Sequence, residues 1–119
     1  MNMPFAAVPA KTKPTGSGEM LENLQRTTDF LKSLSHPARL VILCRLAEGP
    51  ACVGELEAVL SIQQSAVSKQ LARLRKDGLV GFRRDGRTMV YSLNDDRARG
   101  IIDALYNEFC TGTQVLGPE

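Results

Sequence analysis

The sequence has little of what catalysis or metal binding requires. Among its 119 residues there is one histidine, His36, and there are three cysteines. It has no paired nucleophile and base and no glycine-rich loop that could cradle a phosphate. We therefore expect a binding protein rather than an enzyme, with no cofactor.

Long apolar segments are also missing. No run approaches the roughly 20 residues that cross a bilayer. The N-terminus lacks the basic start and apolar region of a signal peptide. We therefore expect a cytoplasmic protein that does not bind membranes. In that reducing compartment three cysteines do not suggest a disulfide framework, but they leave reactive thiols or metal binding open.

The chain divides into a short tail and one domain. Residues 1–18 mix proline, glycine, serine and lysine without periodicity, which predicts a disordered tail, and residues 19–119 are predicted to form a single domain. Apolar periodicity predicts about five helices, from Met20, from Pro37 to about Glu48, over 53–60, over 64–76, and from Asn94 or Asp95. Strand-forming residues on both sides of Asp85-Gly86 predict a β-hairpin.

Positive charge is concentrated in one segment. Residues 63–87 contain seven basic and two acidic side chains, a local charge of +5 in a chain whose net charge is +2. Such a concentration favours a polyanionic partner. The alternative is a basic face that is merely solvated.

Two helices followed by a basic hairpin predict a winged helix-turn-helix, a mainly α fold with a small β wing. The second helix, over 64–76, can enter a major groove with its N-terminal residues at the base edges. Glutamine and serine can hydrogen-bond to bases, and lysine and arginine can neutralise phosphates. The candidate contacts to double-stranded DNA are Gln63, Gln64, Ser65, Ser68, Lys69, Arg73, Arg83, Arg84 and Arg87.

Three segments carry a resemblance to a known family: "SHPARL", "QSAVSKQLARLRKDGLV" and "RRDGRTMVYSL". Residues 20–110 resemble the ArsR/SmtB family of winged-helix repressors. The resemblance implies a homodimer, with the first and last helices at its interface, bound to a partly palindromic operator. Gln63 departs from the serine often found there, and as a poorer cap it could shift the helix start by a residue.

A metal site is the first of three interpretations of the cysteines. The family's thiolate site is a Cys-x-Cys pair, and here Cys52 is followed by Gly54 where the second thiol would stand. The family's other site uses Asp and His on the last helix, where Asp103 is present but histidine is not. Zinc needs about four ligands, so we predict no metal. A metal-responsive repressor remains the alternative, as does a redox-inert module that binds a protein.

Inert thiols and a dithiol switch are the other two interpretations. Cys44 shares a helical stripe with Leu40, Leu43 and Ala47, which is typical of a core position, and Cys52 has no evident partner. Cys44 and Cys110, however, resemble the thiol pair of the sulfide-responsive SqrR and BigR repressors and the related HlyU regulators. This resemblance implies a repressor released from DNA when persulfide bridges the pair. Arg45 would help by favouring the thiolate of Cys44.

Overall fold

The computed structural model describes residues 16–111, and the chain divides after Lys32 into two compact units. The described residues form six α-helices and three strands, which confirms the predicted winged helix-turn-helix class with one more helix and one more strand than expected. The helices are α1 (Gly16–Glu22), α2 (Leu24–Leu34), α3 (Pro37–Ala47), α4 (Val53–Leu60), α5 (Gln64–Lys76) and α6 (Asp96–Tyr106). The strands are β1 (Ala51–Cys52), β2 (Val80–Asp85) and β3 (Thr88–Leu93).

The predicted tail lies mostly outside the described residues. Residues 1–15 are not described, and residues 16–18 already belong to α1. The single helix predicted from Met20 is divided at Asn23, whose side-chain amide donates to the carbonyl of Glu19 at 2.9 Å. In this first unit the apolar side chains of Met20, Leu21, Leu24 and Leu31 are exposed.

Helix α3 lies at the centre of the second unit. Pro37 occupies its first position, where a missing N–H costs nothing. His36 is the N-cap, and its Nδ1 accepts from the backbone N–H of Ala38 at 3.1 Å. Ile42, Leu43 and Leu46 are fully buried, and α3 packs against α4, α5, α6 and β3.

The helix-turn-helix consists of α4 and α5, with the bounds that periodicity predicted. Ser61 ends α4 in the left-handed conformation, with a φ of 60°. Helix α5 buries Val67, Leu71 and Leu74, so one side of it is fixed to the core. None of the helices in residues 16–111 is long and apolar enough to cross a membrane.

The wing is the hairpin β2–β3, and β1 extends it to a sheet of order β1-β3-β2. Asp85 pairs with Thr88, so the two loop residues are Gly86 and Arg87 rather than the expected Asp85-Gly86. Gly86 adopts a φ of 70°, the left-handed backbone that a two-residue hairpin loop requires at its first position. The glycine of the sequence signal is therefore the first loop residue and not the second.

Candidate DNA interface and thiol pair

The outer face of α5 presents polar side chains to solvent. Six of the candidate contacts lie at its start or along it and all are exposed: Gln63, Gln64, Ser65, Ser68, Lys69 and Arg73. These polar positions and the buried apolar positions lie on opposite faces of the helix, as in any amphipathic helix that packs on a core. Gln63 is the N-cap, and its side chain makes no capping hydrogen bond. The predicted weak cap is therefore present without a shift of the helix start.

Two cations near the end of α5 have partners within the chain. Arg73 donates from Nε to Asp77 at 2.8 Å, with 43% of its side chain exposed. The guanidinium of Arg75 lies over the ring of Phe82, 4.3 Å from its centroid, and Phe82 in turn packs against Tyr91. Arg75 therefore connects the end of α5 to the wing, a contact that charge counting did not reveal. A contact between Arg73 and a phosphate would have to compete with Asp77.

The wing exposes Arg83, Arg84 and Arg87, as predicted. Arg83 pairs with Val90 and Arg84 with Met89 across the hairpin. Successive strand residues point to opposite faces, so Arg83 and Arg84 project to opposite sides of the wing. Arg84 shares its face with Phe82. The three arginines therefore do not share one face of the wing, and only Arg87 lies in the loop at the tip.

A polar network that the sequence analysis missed joins α3 to α5. Arg39 donates to the Ser33 carbonyl at 2.8 Å and to the side-chain oxygen of Gln70 at 3.0 Å. Ser33 donates to Asp77 at 2.6 Å. Partial burial acts to raise the pKa of Asp77, but hydrogen bonds from Ser33 and Arg73 outweigh it and leave the pKa lowered. The available signal was Arg39 itself, because a cation in the first turn of a helix opposes the helix dipole.

The three cysteines are free thiols. Cys44, on α3, is half-buried, and Cys110 is exposed. Partial burial raises the pKa of Cys44, and Cys110 lies near enough to add to this rise electrostatically, as does Glu48. The expectation that Arg45 favours the Cys44 thiolate is wrong. The guanidinium of Arg45 donates instead to the carbonyl of Gly49 at 3.0 Å.

Cys110 lies in a π-helical turn, Asn107–Thr111, that continues α6. Eight α-helical residues would rotate its side chain about 80° away from the direction of the buried Ile102. A π turn closes hydrogen bonds over five residues instead of four, so it rotates each residue by less. Cys110 therefore points closer to the direction of the buried Ile102 than an α-helical continuation would place it. Sequence periodicity did not predict this turn.

Cys52 has a local role at the start of α4. It is the N-cap residue, and its backbone N–H donates to the Glu55 carboxylate at 2.9 Å. The hydrogen bond from the backbone N–H of Cys52 is the largest cause of the lowered pKa of Glu55. Glu55 is thus the partner that the sequence analysis did not find. Over residues 16–111, no group of three or more histidine, cysteine or acidic side chains could hold a metal ion.

A core-anchored helix with an exposed polar face, beside a basic wing, defines a DNA-binding transcriptional regulator of the winged helix-turn-helix class. The family model for bacterial regulatory proteins of the arsR family matches residues 36–81. The chain is 44% identical over 109 residues to the biofilm growth-associated repressor of Agrobacterium fabrum (strain C58), covering 87% of this chain and 93% of that protein. The protein therefore belongs to the ArsR family.

Solved structures agree with this assignment. The transcriptional repressor BigR from Xylella fastidiosa superposes with a TM-score of 0.75 at 39% identity, covering 79% of this chain and 96% of that one. Reduced HlyU from Vibrio cholerae N16961 also gives a TM-score of 0.75, at 38% identity, covering 78% of this chain and 98% of that one. These similar proteins are transcriptional regulators and not enzymes, as the sequence predicted.

Cys44 and Cys110 should differ in reactivity. Iodoacetamide is expected to modify Cys110 before Cys44, because Cys110 is exposed and the raised pKa of Cys44 lowers its thiolate fraction at neutral pH. The rate at Cys44 should keep rising with pH beyond about 8.5, the ordinary thiol value. Peptide mass spectrometry after timed quenching measures both rates. In the control variant Cys110→Ser, Cys44 should react faster, and equal rates for the two thiols at neutral pH would contradict the expectation.

Proposed function

We propose that the protein is a cytoplasmic, homodimeric repressor that persulfide releases from operator DNA through a Cys44–Cys110 bridge. The exposure of all nine candidate DNA contacts supports the DNA-binding part, with α5 in the major groove and the wing near the backbone. The observation that supports the switch is the packing of α3, which carries Cys44, against α6, whose continuation carries Cys110. The contribution of Cys110 to the raised pKa of Cys44 is consistent with this arrangement.

The bridging chemistry needs only a persulfide, RSSH, as oxidant. The thiolate of Cys110 attacks the outer sulfur, the S–S bond of RSSH breaks, RSH leaves, and Cys110 becomes a persulfide. The Cys44 thiol then attacks the inner sulfur of that group, forming a disulfide and releasing H₂S. Two thiols are oxidised while RSSH is reduced to RSH and H₂S. Each further sulfur in the bridge consumes one more RSSH and releases one more RSH.

Bridging would act on DNA binding through α3. This helix carries Cys44 and packs on both α5 and α6. A bond from α3 to the end of α6 would favour one arrangement of these helices. It lowers operator affinity only if that arrangement differs from the one stabilised on DNA. A coupling free energy of about 1–3 kcal/mol would change the affinity roughly 5- to 150-fold.

Removal of one exposed cation tests the groove assignment. Lys69→Ala and Arg87→Ala are each expected to weaken operator and unrelated duplexes alike, and to reduce the salt slope by about one unit for one lost phosphate contact. Gln64→Ala should instead alter sequence preference. Fluorescence anisotropy over a salt series measures all three. Arg97→Ala is the matched control, because Arg97 is exposed but lies outside the basic segment, and an equal loss in that variant would contradict the assignment.

An exposed apolar side chain on the π-helical turn after α6 allows a test of the homodimer. Phe109 is 75% exposed in the single chain, and in the proposed dimer a second copy covers it. We expect light scattering to give twice the 13.0 kDa chain mass for the parent protein and a lower mass for Phe109→Asp. Val59→Asp, at an exposed apolar position of α4, should stay dimeric. A monomeric parent protein would refute this part of the proposal.

Single thiol replacements test the switch. Cys44→Ser and Cys110→Ser should each bind the operator as the reduced protein does and lose persulfide-driven release, since either loss leaves one thiol without a partner. Cys52→Ser should keep release and is the matched control. Anisotropy with glutathione persulfide measures release, and the mass of the cross-linked peptide pair counts the sulfurs in the bridge.

A parallel treatment with peroxide separates sulfur transfer from general thiol oxidation. Peroxide can remove electrons but cannot add sulfur, so only persulfide can give a bridge of more than two sulfur atoms. Persulfide-driven release that persists in both single variants, or a cross-link that always includes Cys52, would refute the switch.

A further inference from the structure

The buried polar side chains of the second unit lie between the start of α3 and the neighbouring part of α5. Among the described residues, Ser33 and Arg39 are the buried polar ones, 3% and 9% exposed. Arg39 donates from Nε to the Ser33 carbonyl and from Nη1 to the side-chain oxygen of Gln70. One guanidinium therefore fixes the middle of α5 to the start of α3.

A second attachment holds the end of α5. Asp77 is its C-cap residue, and one oxygen, Oδ2, accepts from Ser33 at 2.6 Å and from Arg73 at 2.8 Å. Gln70 and Asp77 are about two helical turns apart, roughly 10 Å along the axis. We refer to Ser33, Arg39, Gln70, Arg73 and Asp77 together as the Arg39 network. Two attachments at this spacing restrain both the sliding and the tilt of α5.

The hydrogen bonds to Gln70 and Asp77 restrict the orientation of α5, which its apolar contacts do not. Val67, Leu71 and Leu74 hold the helix on the core, but apolar burial has no preferred direction and tolerates small rotations. Hydrogen bonds weaken steeply when their geometry changes. Burying a cation costs desolvation free energy, so a buried Arg39 is expected to add little to the stability of the fold. Its geometry favours a role in orientation.

We propose that Arg39 is a positioning residue that sets the orientation of α5 for sequence-specific recognition of the operator. The proposal rests on the proposed function, in which α5 reads DNA. A misplaced α5 would misalign its base contacts, while its exposed cations could still neutralise phosphates. Loss of Arg39 should therefore lower affinity for the operator and leave affinity for unrelated duplexes unchanged. Because it is buried, Arg39 contributes no phosphate contact of its own.

The experiment compares two duplexes across a salt series. The operator is selected by the parent protein from a random duplex pool, and a scrambled duplex of equal length is the non-specific probe. Arg39→Lys keeps the charge but cannot reproduce the fork of donors, and Gln70→Met keeps the length but removes the acceptor. Each is expected to lose about 5- to 100-fold in operator affinity, the range of a mismatched site. Affinity for the scrambled duplex and the salt slope should not change.

The double variant tests whether the two residues act together. Arg39→Lys with Gln70→Met should lose no more operator affinity than the worse single variant, because both changes break one interaction. Lys69→Ala is the contrast, since it should weaken both duplexes and reduce the salt slope. Thermal unfolding followed by circular dichroism sets a temperature at which every variant is folded. If Arg39→Lys does not fold, the half-buried Gln70→Met carries the test.

Three outcomes would refute either the positioning role of Arg39 or the proposed DNA-binding function. Each outcome identifies which of the two proposals fails. Unchanged operator affinity in a folded Gln70→Met overturns the positioning role and leaves operator binding intact. Equal losses on both duplexes with a smaller salt slope would make Arg39 a phosphate contact and also overturn that role. A parent protein that selects no sequence from the pool overturns the proposed DNA function itself.

Discussion

The burial of α3 is the constraint on which the rest of the second unit depends. Ile42, Leu43 and Leu46 are removed from water on one helix that contacts α4, α5, α6 and β3. At about 1.5–3 kcal/mol for each fully buried aliphatic side chain, these contacts hold the helix-turn-helix against the wing and the last helix. Because α3 also carries Cys44 and Arg39, one of the two candidate thiols and the hydrogen bonds to α5 share a single helix.

Intramolecular contacts divide six of the seven basic residues in segment 63–87 into two groups. Lys69, Arg83, Arg84 and Arg87 are exposed cations on the helix face and the wing. Arg73 and Arg75 are also exposed, but an aspartate and an aromatic ring engage them. A stacked cation of this kind contributes about 0.5–1 kcal/mol at exposed sites, enough to bias the wing toward α5. The local charge of the segment therefore overstates the number of cations without an internal partner.

Cys110 and Cys44 have different environments, and each environment suits one of the two steps of the proposed bridging reaction. Cys110 is exposed on the π-helical turn, and Cys44 is half-buried with a raised pKa. In the proposed mechanism an accessible thiol receives sulfur, and a sheltered one closes the bridge.

Local rules in the sequence determined the bounds of α4 and α5, the start of α3 at Pro37, the hairpin and the exposed face of α5. Periodicity, proline placement and turn preferences act over a few residues and can therefore be recognised in the sequence. The short strand β1, the π-helical turn and the one-residue shift of the wing loop did not follow from those rules. The tertiary structure decided the partners of Arg39 and Arg75 and the packing of α3, which carries Cys44, against α6. A hydrogen bond from Ser33 to Asp77, or the pKa of Cys44, depends on residues distant in the chain that only packing around α3 brings together.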